Sequence, residues 1–81
     1  MEEKGKLQQI SKDSASEIVL EFLKKKKETN KIDIAMIEKQ TDGWIVRGTC
    51  PIDLEGHQWA EGFTVSLDLK GKIKNTNFSL L

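Results

Sequence analysis

The spacing of apolar residues predicts one helix near the start of the chain. An apolar stripe recurs at helical intervals on one side of the segment 13–29. It consists of Ala15, Ile18, Val19, Phe22 and Leu23. Ser14 and Glu17 have the spacing of a capping box, the lysines of 24–27 suit the negative end of the helix dipole, and Asn30 suits a left-handed stop. Residues 1–12 are either a flexible arm or an early start of this helix, and both interpretations stay open.

From Ile32 onward the apolar period changes from helical to two, which is typical of strands with one buried face. The alternation continues through 31–80 and divides it into four strands. The fourth begins at Ile73, and its parity slips before Phe78. We therefore expect a bulge or an early end near 75–77.

Turn choices fix which residues face each other in the predicted sheet. A two-residue Asp42-Gly43 turn would split the apolar residues between both faces. A three-residue loop over 41–43, with Gly43 left-handed, places Met36 opposite Gly48 and keeps them together, so we predict the longer loop.

The other two hairpins agree with that inner face. A tight Glu55-Gly56 turn sets Val46 opposite Val65, and the third hairpin sets Leu67 opposite Ile73. The sequence therefore predicts an α+β fold in a single domain, 1–81. Its N-terminal helix packs on one face of a four-stranded antiparallel meander with a three-stranded core and an irregular fourth strand.

Composition narrows the function classes. The 81 residues carry 13 basic and 13 acidic side chains, so the chain lacks the net positive charge that drives nucleic-acid binding. No apolar run is long enough to span a membrane, and the first residues lack the apolar segment of a signal peptide. The single cysteine fits a reducing compartment. We expect a cytoplasmic protein that binds no nucleic acid.

The segment 42–59 holds the only cysteine, proline and histidine and both tryptophans. Asp53, Glu55 and His57, with Cys50 and Glu61 nearby, are ligand types that suit zinc. A tight hairpin turn would send these side chains apart, and no second histidine or cysteine completes a tetrahedral set. We therefore expect no metal site, no cofactor and no catalytic residue. Small-ligand or metal-ion binding at Asp53–His57 remains the alternative function.

The inward parity of Cys50 predicts a buried structural thiol rather than a nucleophile. Trp44 and Trp59 share that parity, and we expect them to cap the two ends of the core. A cleft with convergent polar groups, the usual requirement of an enzyme, is not predicted.

The sheet face away from the helix is the predicted contact surface. Its side chains are small, hydroxylic or apolar and few of them are charged, whereas a solvated face usually carries more charged side chains. The predicted partner-binding residues are Ile37, Ile45, Arg47, Thr49 and Thr64. We expect a small non-catalytic protein-interaction module whose partner is another protein or, through this open face, a second copy.

The end of the sheet pattern resembles a known family. The spacing F-x-V-x-L-D-x-x-G-K-I, after a DGW turn, is similar to PepSY-type and related cystatin-like modules. It is carried by Phe63, Val65, Leu67, Asp68, Gly71, Lys72 and Ile73. The gas vesicle protein O family has a similar layout, but its basic aromatic tail is missing here. The matched positions are turns and core, so the resemblance implies a fold and not a function.

Overall fold

A computed structural model describes residues 9–80 of the chain. One helix is followed by four strands in a single antiparallel sheet with the order β1-β2-β3-β4. The elements are α1 (Lys12–Lys27), β1 (Asp33–Gln40), β2 (Gly43–Leu54), β3 (His57–Asp68) and β4 (Ile73–Leu80). The predicted α+β meander is confirmed.

The helix begins and ends earlier than its apolar stripe predicted. Ser11 is the N-cap, because its hydroxyl accepts a hydrogen bond from the backbone N–H of Ser14 at 3.2 Å. Glu28, at φ 54°, is the left-handed C-cap. The capping box at Ser14 and the stop at Asn30 are therefore wrong, because an equally good cap lies three residues upstream and the left-handed turn falls two residues before Asn30.

The chain before the helix is tied to the sheet. Ile10 donates its backbone N–H to the carbonyl of Leu69 at 2.9 Å and packs against the core. The alternatives of a flexible arm or an early helix for 1–12 fall mostly on residues 1–8, which lie outside the described residues.

The first hairpin differs from the predicted one. Gln40 pairs with Gly43, so the loop has two residues and not three. Gly43 is not left-handed; it is required because a Cβ there would collide with the backbone carbonyl of Leu67. A bulge between Ile34 and Met36 inserts one extra residue into β1, and this insertion reconciles the tight turn with one apolar face.

Because of the bulge, the predicted position of Ile37 on the open face is wrong. This residue pairs with the fully buried Val46 and packs against the core, so it faces the helix and not the open side. Met36, paired with Arg47, takes the open-face position instead.

The other two hairpins confirm the predicted register. Val46 pairs with Val65, and Leu67 pairs with Ile73. The irregularity in β4 lies at Lys74 rather than at 75–77, because Ser66 already pairs with Asn75.

The core lies between the helix and one end of the sheet. Its buried residues are Ala15, Val19, Leu23, Trp44, Val46, Cys50, Phe63, Val65 and Leu67. The 16 residues of α1 span about 24 Å, whereas the 12 residues of β2 or β3 span about 40 Å. Because β1 starts opposite Thr49 and β4 ends opposite Glu61, residues 51–60 project beyond both neighbours as a two-stranded ribbon. We call residues 51–60 the arm.

An ion pair closes the core where the helix ends. Lys27 Nζ lies 2.6 Å from Glu61 Oε1 and 4.1 Å from the centroid of the Phe78 ring. Glu61 is only 8% exposed, and it lies opposite the buried Cys50 across the β2–β3 strand pair. The last helical side chain therefore neutralises the one acid that faces the core at this end.

We expect Phe63→Ala to lower the free energy of unfolding by about 3–5 kcal/mol, because Phe63 is 3% exposed and covers Gly48. Thr64→Ala, one position along on the open face, should cost far less. Urea denaturation of both variants measures the difference, and equal losses would contradict the assigned faces.

Lys27→Met should lower the free energy of unfolding by about 3 kcal/mol, because it leaves the Glu61 carboxylate almost buried without a partner. The double variant Lys27→Met with Glu61→Leu should recover most of that loss. Lys25→Met, on the exposed part of the same helix, is the matched control and should be close to neutral in the same denaturation experiment. If it costs as much as Lys27→Met, the ion pair is not what stabilises this end.

Candidate functional site

The hairpin tip separates the three predicted metal-ligand candidates. Glu55 and Gly56 form the turn with φ values of 52° and 82°, a pair of left-handed conformations typical of a type I′ turn. Asp53 lies in the row that faces away from the helix, and His57 lies in the row on the helix side. Across residues 9–80 no group of three histidine, cysteine, aspartate or glutamate side chains is placed to hold a metal ion.

Cys50 lies inside the core, as its parity predicted. It is 2% exposed and faces Glu61 across the β2–β3 pair, while His57 lies four residues further along the arm. Burial raises the pKa of the Cys50 thiol, and the nearby Glu61 carboxylate raises it further, against a smaller opposing effect of Lys27. The thiol is therefore held protonated and out of reach of an attacking reagent.

The two tryptophans have different environments although they share one row of the sheet. Trp44 is 8% exposed and closes the core at the helix start, as predicted. Trp59 is 53% exposed, so the prediction that it caps the other end of the core is wrong. The helix ends above Glu61, and the next position of that row, Trp59, is left without a covering element.

Apolar side chains gather around Trp59 on the helix side of the arm. Leu54 is 39% exposed and Leu80, at the end of β4, is 59% exposed. Together with His57 and Glu55 they line an open groove of about 600 Å³. We call this the arm groove, and its residues are Leu54, Glu55, His57, Trp59 and Leu80.

The open face brings four of the five predicted partner-binding residues together. Arg47 pairs with Thr64, and Ile45 and Thr49 occupy the neighbouring positions of the same row on β2. Ile37 does not belong to this surface, because the bulge turns it into the core. Docking on the open face stays a prediction.

The arm groove was missed because parity assigns a residue to a face and says nothing about what covers that face. A signal was nevertheless present. The predicted helix of 17 residues would cover about 26 Å, too short for two strands that run from 43 to 54 and from 57 to 68. Comparing these lengths would have placed Trp59 beyond the helix.

Comparison with protein-family models, curated proteins and solved structures finds no match. The resemblance to PepSY-type, cystatin-like and gas vesicle protein O modules therefore stays a prediction. No helix within residues 9–80 is long and apolar enough to cross a membrane.

We expect the Cys50 thiol of the native protein to react slowly with a disulfide reagent at neutral pH and rapidly in denaturant, because burial both shields it and raises its pKa. Absorbance of the released chromophore measures the two rates. Equal rates with and without denaturant would mean that the thiol is accessible.

Proposed function

We propose that this protein is a small non-catalytic protein-interaction module that binds an apolar segment of its partner in the arm groove. One observation carries the proposal. Three large apolar side chains that are more than a third exposed, Leu54, Trp59 and Leu80, lie on one continuous surface. Apolar side chains clustered in this way are typical of contact sites, and a half-exposed tryptophan at their centre is a residue type enriched at interface hot spots.

The shape of the groove favours a protein partner over a small molecule. Small-molecule sites enclose most of the ligand surface. The arm has only two strands, and the groove lies along one side of it, so a small ligand would stay largely in contact with water. A protein segment brings its own covering surface and can bury Trp59 from above.

The alternative function, small-ligand or metal-ion binding at Asp53–His57, has less support. Glu55 and His57 line the groove, but Asp53 lies on the opposite row. Two side chains of mixed type make a weak metal site by themselves.

We further propose that the module acts in the cytoplasm without catalysing a reaction. The lone buried thiol fits a reducing compartment, where free cysteines persist. In the β2–β3 pair, Cys50 lies opposite Glu61, whereas His57 lies opposite Leu54, four positions further along the arm. This separation does not favour a cysteine–histidine pair.

The proposal is tested by affinity capture from a lysate followed by calorimetry with each purified candidate. Leu54→Ser and Trp59→Ser should each weaken binding of the true partner by at least about tenfold, as loss of a hot-spot side chain does. Met36→Ser is the matched control, because Met36 is also 39% exposed but lies on the open face. It should bind like the parent.

Two results would contradict the proposal. One is a partner that binds all three variants equally well. The other is zinc binding at micromolar concentration that disappears in a His57→Ala variant and leaves the Leu54→Ser variant unaffected, which would favour the metal alternative.

A further inference from the structure

Within residues 9–80, the helix side of the arm lacks the layer that covers the rest of that side. All residues from 53 to 60 are exposed, whereas Cys50 and Glu61 at the base of the arm are buried. A helix with its side chains is about 10–12 Å across, and stacked sheets lie about 10 Å apart. A two-stranded ribbon packed on the arm would therefore continue the layer that α1 begins and would end against the last turn of α1.

The arm is itself a ribbon of the kind that fits this space. On its helix side, Ile52 lies opposite Trp59 and Leu54 lies opposite His57. Leu80, at the end of β4, extends the same apolar surface. Two such faces brought together would remove these side chains from water, and each face would supply the cover that the other lacks.

Charges of opposite sign border the two ends of this face. At the base of the arm, the last turn of α1 exposes the lysines at 24–26, which outnumber the acid of the C-cap, Glu28. At the tip, Glu55 lies in the turn and lines the arm groove, whereas Asp53 belongs to the row on the other side. A face that is basic at one end and acidic at the other is complementary to a copy of itself turned end to end.

We propose that the partner of the arm groove is a second copy of this chain, an inference that rests on the proposed function. The two arms pack face to face on their helix sides, antiparallel about a two-fold axis. The axis passes between the row of Trp59 and the row of His57, so that each row lies over the other row of the second copy. Trp59 thereby meets Leu54 and His57 of the second copy, and its indole becomes buried at the centre of the contact.

The end of α1 sets this register. Neighbouring rows on one face of a strand are about 7 Å apart, and the turn extends about half that distance beyond the last row. The tip of each arm then stops just short of the row of Cys50 and Glu61 of the other copy, above which α1 ends. Glu55 of one copy is therefore placed beside the lysines at 24–26 of the other, and the symmetry repeats the contact.

The size of the contact makes the dimer weak. The arm, residues 51–60, is smaller than the roughly 20–30 residues that each side of a standard interface contributes. We therefore expect a dissociation constant above about 1 µM. An anionic lipid surface fits the same apolar side chains less well, because Glu55 stands at the tip that would enter the headgroups first.

A charge exchange tests the dimer. One variant is Glu55→Lys, and the other combines Lys25→Glu with Lys26→Glu. In sedimentation equilibrium each variant alone should raise the dissociation constant at least about tenfold above the parent's, because like charges meet at both symmetric contacts. An equal mixture of the two should recover the parent's value, since every contact then joins opposite charges. A mixture that stays as weak as its components overturns the inference.

Matched variants locate the interface, with circular dichroism to confirm that each is folded. Asp53→Lys makes the same charge change as Glu55→Lys on the other side of the arm, and at physiological salt it should keep the dimer. Trp59→Ser should abolish the dimer, and Met36→Ser, on the open face, should keep it. Loss of the dimer in Asp53→Lys or Met36→Ser, or its survival in Trp59→Ser, overturns the inference.

The parent chain separates failure of this inference from failure of the proposed function. A parent that stays monomeric at about 1 mM overturns the dimer. If that monomer captures a different protein and Trp59→Ser loses it, the arm groove is still a docking site and only its occupant was wrong. If neither a dimer nor a captured protein depends on Trp59, both proposals fail. Binding of a monomeric parent to phosphatidylserine vesicles overturns the dimer in favour of a membrane surface.

Discussion

The architecture depends on a mismatch in length between one helix and the two longest strands of the sheet. Each residue of a helix adds about 1.5 Å, and each residue of a strand adds about 3.3 Å. The 16 residues of α1 cannot cover the 12 residues of β2 and β3 from end to end. The buried side chains of the sheet lie on its helix side, between the row of Trp44 and the row of Glu61, and the arm begins where the helix stops.

Lys27 marks the limit of that coverage. The sequence presents four consecutive lysines as an ordinary basic helix end, and three of them are indeed exposed. The fourth lies over Phe78 and reaches Glu61, so its aliphatic stem covers apolar surface while its ammonium group neutralises the acid. A helix shorter by one turn would leave Glu61 and Cys50 facing water, and one longer by two turns would cover Trp59.

Local patterns were sufficient to predict the fold. The helical stripe, the Glu55-Gly56 turn and the pairing of Val46 with Val65 follow from periodicity and turn chemistry. The first hairpin could not be predicted, because its bulge lies at Ala35, a residue with no special bulge propensity, and one inserted residue reverses the face of every residue that follows it in β1. That reversal is why Ile37 was assigned to the open face. Trp59 was misassigned for a different reason. Its position on the helix side of the sheet was predicted correctly, but its burial depends on how far a helix distant in sequence extends.

The unequal cover of one row of the sheet also gives the protein two optical reporters. Trp44 emits from the interior and Trp59 from an aqueous surface, and the chain has no tyrosine to overlap with them. In fluorescence spectra the interior indole of Trp44 should emit at a shorter wavelength than the exposed indole of Trp59. Integrity of the core and occupancy of the arm are therefore reported separately in a single sample, without any attached dye.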